Sequence, residues 1–510
     1  MPNAAAETFL GLDLGTTACK GMLVDHQMRP LAQAEGSCAL ITRSAQEIEQ
    51  DAEQWLEVAG EVIRRILAEP AVDPHTVQSL SISAQGISFV PVDARNRPLR
   101  TALTWLDTRA GEQAARAASE LGEHALFTRT GKRVSSVYVL PKLLWLRDRE
   151  PRLFSRTRRV LMAHEFLTTR LCGDAVTDHT MASGTMLYDI HRQDWSSPIL
   201  EHFALDPALL PALSWSGASA GTLLPEAARR LGLPADTRVV VGGQDQKVAA
   251  LAAGIGPGRT TLSLGTAMAI MRSSAQPMID PEMRVPCFSG LEPRRWVLEG
   301  SGIGTSCLDW ARATLLGGRS FAELEAMAGS LDGKPNRVYF YPFLAGTDTL
   351  HRGEAVRAFL YGLDFSVGPE RIVKSVHEGL AYQVREHLEL LEELTAPGGS
   401  LRLFGGGARS AGWAQTIADV TGREVEIPAS PEMGCMGAAV LAAVGAGAFR
   451  GPGEAAALIP VERRCTPRRE LEAMYAEQYG EYLEIQRRML AAGAGGTAGV
   501  GGAAGVGGAR

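Results

Sequence analysis

Residues 9–25 read "FLGLDLGTTACKGMLVD", an apolar run that carries one acid, Asp13, followed by Gly15-Thr16-Thr17. Apolar and small residues alternate on both flanks as in strands, and Gly15 can take turn angles through which a strand cannot continue. The stretch therefore predicts strand, turn, strand. The amides and threonine hydroxyls of such a turn line a small concavity of donors that suits a phosphate, and a carboxylate beside it suits a hydrated Mg²⁺. An ordinary hairpin with a turn acid is the competing use. The pattern returns at "RTTLSLGTAMAIMRS", 259–273, where Leu264-Gly265-Thr266 repeats Leu14-Gly15-Thr16 at an offset of 250 residues, with Ser263 in the place of Asp13. Two related domains, each offering a Gly-Thr turn, would clamp a polyphosphate from both sides and use a single metal-associated acid.

A chain of 510 residues exceeds what one core usually fills. Its 45% hydrophobic and 21% charged residues are ordinary for a soluble globular protein. No run approaches the length of a membrane span, and residues 1–8, "MPNAAAET", have neither the basic start nor the apolar core of a secretory signal. The net charge of −6 comes without a basic stripe, which argues against a nucleic-acid partner. Seven cysteines show no close pairing or metal-type spacing, so reduced thiols in a cytoplasm are expected. There is no HExxH, and the absence of GxxxxGK[ST] excludes a P-loop.

Along the chain, "DAEQWLEVAGEVIRRILAE", 51–69, has helical spacing at Trp55, Val58, Val62, Ile63 and Ile66, and "VQSLSISAQGISFVPVD", 77–93, reads as strand, short break and strand. That order indicates an α/β domain. "TRVVVGGQDQKVAALAAGIGPG", 237–258, gives a buried strand, a Gly-Gly turn, an alanine-rich helix and a Gly/Pro exit, where a first domain, 1–254, ends. A second domain, 255–448, contains "LRLFGGGARSAGWAQTIADVTGREVEIP", 401–428, in which a strand runs into Gly405-Gly406-Gly407 and a helix. Three glycines let backbone approach a flat ring or ribose, although a plain strand-to-helix turn would use them too. "MGCMGAAVLAAVGAGA", 433–448, is a small-residue helix expected to pack beneath that loop. A helical extension, 449–491, and a disordered Gly/Ala tail, 492–510, complete the chain.

These pieces together resemble the FGGY family of carbohydrate kinases. The matching stretches are "GLDLGTTACKGMLVD", "WLDTRA", "KLLWLRD", "MASGTMLYDI", "VVGGQDQKVAALAAG", "LSLGT", "HEGLAYQ" and "LFGGGARSAGWAQTIAD", in family order over roughly residues 8–447. The resemblance implies an α/β fold of two ribonuclease-H-like (actin-like ATPase) domains flanking a central cleft. It also implies transfer of the γ-phosphate of ATP, with Mg²⁺, to a sugar, polyol or sugar acid. Carried over by position, the turns Gly15-Thr16-Thr17 and Gly265-Thr266 would hold the phosphates, and Gly405, Gly406, Gly407 and Ala408 would meet adenosine. Asp245 would be the catalytic base, Gln246 a substrate-contacting amide, and Gln85, Gly86, Trp105, Asp107 and Arg109 would shape the sugar pocket. A small-molecule substrate, a cytoplasmic setting and a homodimer are compatible with it.

Two departures stand out. Gln85-Gly86-Ile87-Ser88 replaces the Gln-Met-His-Gly common in xylulokinases, which puts Ile87 where a sugar-contacting histidine is expected. The usual Gly-Glu-Arg-Ser/Thr-Pro segment is altered to Gly346-Thr347-Asp348-Thr349-Leu350. A ketose is the first choice of acceptor, with a polyol or aldonate as the alternative within the family. A nucleotide-regulated binding protein of the same fold is the alternative outside it. Asp245, after Gly242-Gly243 and at the start of an expected helix 246–253, stands where the helix dipole favours negative charge. A plain N-cap is its competing use, as a solvated surface pair is for Asp107 and Arg109. Lys142 and Trp145 are expected to pack structurally, and Lys20 to be a surface residue.

Overall fold

A computed structural model of the chain describes residues 7–346, 349–351 and 357–496, with side chains through 491. The opening stretch forms β1 (Thr8–Leu14) and β2 (Ala18–Asp25), antiparallel in the register Asp13↔Lys20, and Gly15 N–H closes the turn on the Ala18 carbonyl at 2.9 Å. The chain continues through β3 (Pro30–Ser37), helix α1 (Ala52–Leu67), β4 (Val77–Ala84), β5 (Ser219–Thr222) and β6 (Arg238–Gln244). These strands make one sheet in the order β5-β6-β4-β1-β2-β3, with β1, β4 and β6 mutually parallel. Asp51 caps α1 by accepting from Glu53 N–H, and the helix buries Trp55, Val62, Ile63 and Ile66. Each of these apolar side chains contributes about 1.5–3 kcal/mol of burial. Gly21 and Gly36 leave room on the strands for Val58, Val62 and Ile66.

Helix α2 (Asp245–Ala252) follows β6 directly. A second sheet has seven strands: β7 (Arg259–Leu264), β8 (Ala267–Ser274), β9 (Cys287–Ser289), β10 (Trp296–Ile303), β11 (Ser400–Phe404), β12 (Val425–Pro428) and β13 (Val461–Cys465). Their order is β9-β10-β8-β7-β11-β12-β13. Helices α3 (Pro369–Leu394), α4 (Ala411–Thr421), α5 (Met433–Ala446) and α6 (Glu472–Gly496) belong to this half of the sequence. No helix among the described residues is long and apolar enough to cross a membrane.

Two compact units divide the chain otherwise than at a single cut. One holds residues 1–261, 271–299 and 428–462; the other holds 262–270, 300–427 and 463–510. Helix α5 therefore belongs to the first unit, where the sequence reading expected it beneath the Gly405–Gly407 loop. Its small residues meet β1 and α2: a Cβ on Gly11 would fall on the Cys435 carbonyl, and one on Gly437 on the Val248 carbonyl. Ser79 Oγ donates to the Ala442 carbonyl at 2.7 Å. Helix α6 runs past residue 492, where the tail was expected to begin; 497–510 lie outside the described residues, as do Thr347 and Asp348 of the altered segment.

Candidate active site

The sheet register of the first unit sets its acids. Asp13 on β1 lies opposite Ser83 on β4, and Ser83 lies opposite Gly243 on β6, so the three are level across parallel strands. Asp245 comes just beyond the end of β6. Side chains at the carboxyl ends of parallel strands are where α/β folds place their ligands. Ser83 Oγ donates to Asp13 Oδ1 at 2.7 Å, and the other side of that carboxylate lies against Gly434 in the first turn of α5, where a Cβ would collide with it. Burial raises the Asp13 carboxyl to about 6, opposed by the Ser83 bond and Lys20 and assisted by Glu432. Lys20 is more than a surface residue. It pairs with Glu432 at 2.7 Å across from Asp13.

Asp245 is the first residue of α2, and the cap is Gln244, whose side-chain oxygen accepts from Lys247 N–H at 3.3 Å. The N-cap explanation of Asp245 therefore fails. Its Oδ1 accepts from Gln246 N–H at 2.7 Å and from the Gln244 amide. Burial first, and the Asp13 charge second, raise its carboxyl to about 7; Gln246 N–H and Lys247 work against them. Lys247 pairs with Glu299 and sits 3.5 Å over the Phe288 ring, whose approach from Lys132 is 3.2 Å. Behind β6, Thr180 Oγ1 accepts from Gln244 N–H at 2.9 Å and donates to Asp178, and Gly242 N–H donates to a buried His164. Asp178, Thr180 and His164 fix the strand end that presents Asp245; no short motif around them singles them out in one sequence. The Gln246 amide oxygen is buried with no hydrogen-bond partner among the described residues.

The expected pocket residues separate into two groups. Asp107 is buried and the Arg109 side chain is 7% exposed, so the two are not a solvated pair: Arg109 binds Asp107 and Glu49 at 2.7 Å each and lies 5.0 Å over Trp145, while Asp107 accepts from Ile48 N–H at 2.9 Å. Lys142 is buried on the Thr104 carbonyl. Gln85, Gly86 and Trp105 lie by the first turn: Trp105 Nε1 donates to Thr16 Oγ1 at 2.8 Å, and a Cβ on Gly86 would meet Gln244. Ile87 holds φ +53°, a region costly for a β-branched residue and one that clusters at functional sites.

In the second unit, Gly265 N–H closes its turn on the Ala267 carbonyl at 3.0 Å, and Thr305 N–H and Ser306 Oγ bond the carbonyls of Gly265 and Thr266. Gly405, at φ +88°, lies against Leu264, as does Gly407, whereas a Cβ on Gly406 would meet nothing. The Ala408 carbonyl accepts from Arg463 at 2.5 Å. Gly406 and Gly407 border a cavity of about 620 Å³ with Thr305, Leu308, Phe321 and Trp413, a volume that suits a nucleoside. Glu325 on its wall is spent on the Ser410 hydroxyl and Gly412 N–H.

Two family models cover nearly all of this: the N-terminal domain of the FGGY family of carbohydrate kinases matches residues 8–252, and its C-terminal domain matches 260–446. The chain belongs to the FGGY family of carbohydrate kinases. It is an ATP-dependent carbohydrate kinase, a phosphotransferase with an alcohol group as acceptor. A xylulose kinase of Escherichia coli (strain K12) is 29% identical over 94% of this chain and 99% of that one. A xylulose kinase of Bacillus subtilis (strain 168) is 31% identical over 86% and 88%. The crystal structure of a xyloylose kinase from Brucella ovis superposes with a TM-score of 0.89 at 27% identity, covering 95% of this chain and all (100%) of that one. The FGGY kinases thus share with this chain the actin-like ATPase fold of two α/β domains.

Proposed function

We propose that the acceptor is a pentulose, D-xylulose in the first place, and that Asp245 accepts the proton of the attacking hydroxyl. The observation that carries the second part is the level edge of Asp13, Ser83 and Gly243 with Asp245 two residues beyond Gly243, an acid that burial holds near 7 and that does not cap its helix. Phosphoryl transfer needs positioning and charge neutralisation, with a base at the nucleophile. An acid whose proton affinity is close to working pH suits that task. Gln246, with its unpartnered amide oxygen, would contact the acceptor. Gln85, Gly86 and Trp105 would form the pocket wall, with Asp107 and Arg109 stiffening it from behind.

Each Gly-Thr turn would take phosphate oxygens, and the cavity beside Gly406 would take adenosine. Asp13 suits Mg²⁺, because it offers hard carboxylate oxygen. Bound there through water, the ion would neutralise phosphate charge. The seven free cysteines agree with a reducing cytoplasm, and a homodimer completes the reading.

The acceptor rests on the xylulose kinases that match along the chain. Ile87 offers no hydrogen bond where a histidine is common in them. The test is ATP consumption over D-xylulose, other ketopentoses, ketohexoses, polyols and aldonates. The highest kcat/KM is expected for a pentulose; a polyol or aldonate ahead of every pentulose would replace the acceptor.

A further inference from the structure

We propose that Trp105 and Gln50 are positioning residues for the first Gly-Thr-Thr turn, tying its Thr16 to the pocket wall at Gln85–Ser88. The proposal rests on the reading of that turn as a phosphate site. Thr16 is held at two atoms. Its carbonyl accepts from Gln50 Nε2 at 2.6 Å, and its hydroxyl oxygen accepts from Trp105 Nε1 at 2.8 Å. An indole N–H only donates, so the Thr16 hydroxyl is an acceptor in that bond and its own hydrogen stays free to donate. A turn that binds an anion needs that donor aimed outward.

The orientation of Gln50 follows by the same logic. Its Oε1 takes hydrogen bonds from Gln85 Nε2 at 2.7 Å and from the Trp55 indole at 3.3 Å. Because the Trp55 group can only donate, the Gln50 atom facing it is oxygen, and the amide nitrogen is the atom on the Thr16 carbonyl. Gln85 Oε1 in turn accepts from Ser88 Oγ at 3.2 Å, and Ser88 Oγ accepts from the backbone N–H of Trp105 at 3.0 Å. The circuit Thr16–Gln50–Gln85–Ser88–Trp105–Thr16 closes on itself. Ile87 lies in the chain between its members Gln85 and Ser88, at φ +53°, in the tight turn where Ser88 N–H donates to Gly86 O at 2.8 Å. Gln50, Gln85 and Ser88 are buried, whereas Trp105 is 41% exposed. Trp105 thus serves the nucleotide side of the reaction through Thr16, besides any contact with the acceptor.

The experiment measures Kd for MgATP by calorimetry on the full chain. Trp105→Phe keeps a smaller aromatic face and deletes the donor. It should weaken MgATP about 3–10-fold, the range of one lost neutral hydrogen bond. Thr16→Val should weaken MgATP by at least as much, and Thr16→Ser should restore it. The double variant Trp105→Phe/Thr16→Val should bind MgATP about as well as Thr16→Val alone, a coupling that a merely structural role for Trp105 would not produce. Loss with Thr16→Val but none with Trp105→Phe, or additive losses, overturns the positioning role alone. Unchanged MgATP affinity in Thr16→Val overturns the phosphate reading of the turn and the proposal with it.

Discussion

Asp245→Asn removes one charge from the strand edge and leaves its shape. The asparagine oxygen can still accept from Gln246 N–H, 2.7 Å away in the parent, and Gln244 still caps the helix. In the parent the carboxyl is raised from 3.8 to about 7. A raised acid withdraws stability as pH climbs from its unfolded value, and the whole amount is gone above its folded value. Roughly 3 units at about 1.36 kcal/mol each gives about 4 kcal/mol as an upper bound, less because the carboxylate is partly open to solvent. At pH 8 the variant should therefore melt at or above the parent temperature. Its rate should fall about 10²–10⁴-fold, roughly 2.7–5.4 kcal/mol on the barrier, because asparagine cannot take the hydroxyl proton. The parent's kcat/KM should rise with pH through about 7 and level off above it, since the base works only when ionised. Coupled ADP release with D-xylulose, calorimetry with MgATP and a thermal melt make the three measurements. Turnover within about threefold of the parent would refute the assignment of the base. A melting temperature several degrees lower would refute the claim that Asp245 carries no capping load.

Gly434→Ala puts a methyl on the Asp13 carboxylate, and a misplacement of that kind should lower kcat about 10–100-fold; a titration of rate against Mg²⁺ should show a higher requirement, and an unchanged curve would remove Asp13 from the ion. Gly406→Val fills space that the protein leaves open, so MgATP should bind at least about tenfold more weakly with D-xylulose affinity intact, and equal MgATP affinity would leave the loop a plain turn. A fragment ending at residue 254 lacks α5 and should show no cooperative melt; a sharp one would mean that the sheet does not need that helix.

Much of the fold is legible because its signals are local. The Gly15 and Gly265 turns, the α1 spacing with Asp51 at its head, and the strand running into Gly405 all depend on neighbours within a few residues. The partner of α5 is not local. A stripe of small residues states that something approaches closely, but not which backbone does so, and here it is Gly11 and Val248 instead of the Gly405 loop. The N-cap alternative for Asp245 stayed open in the sequence for a related reason. Aspartate is a better cap than glutamine in general, yet the strand runs through the Gly242-Gly243 pair, where a turn was expected, to Gln244, and the helix begins at Asp245, one residue earlier than the expected 246, which leaves the capping position to Gln244. For Asp107 and Arg109 a solvated pair stayed open beside the pocket role because nothing nearby in sequence announces Glu49, which reaches Arg109 from another segment and withdraws the pair from solvent.

The glycines of the Gly405–Gly407 loop can be sorted by what forbids a side chain. At Gly405 the backbone sits at φ +88° with Leu264 O 3.0 Å from any Cβ, and at Gly407 the Leu264 side chain stands 2.6 Å away, so the fold itself demands both. At Gly406 neither reason applies, since φ is ordinary and a Cβ would find open space. A structural strand-to-helix turn would need only the outer two. The middle glycine borders the 620 Å³ cavity, and its missing side chain keeps open a volume that the protein does not use. The same contrast runs through the first unit, where Gly11 and Gly437 are required by the backbone of other elements while Gly434 is required by the Asp13 carboxylate. The position of that carboxylate depends on a helix encoded more than 400 residues after it, so the acid edge of the first unit is complete only once residues 433–446 have been made.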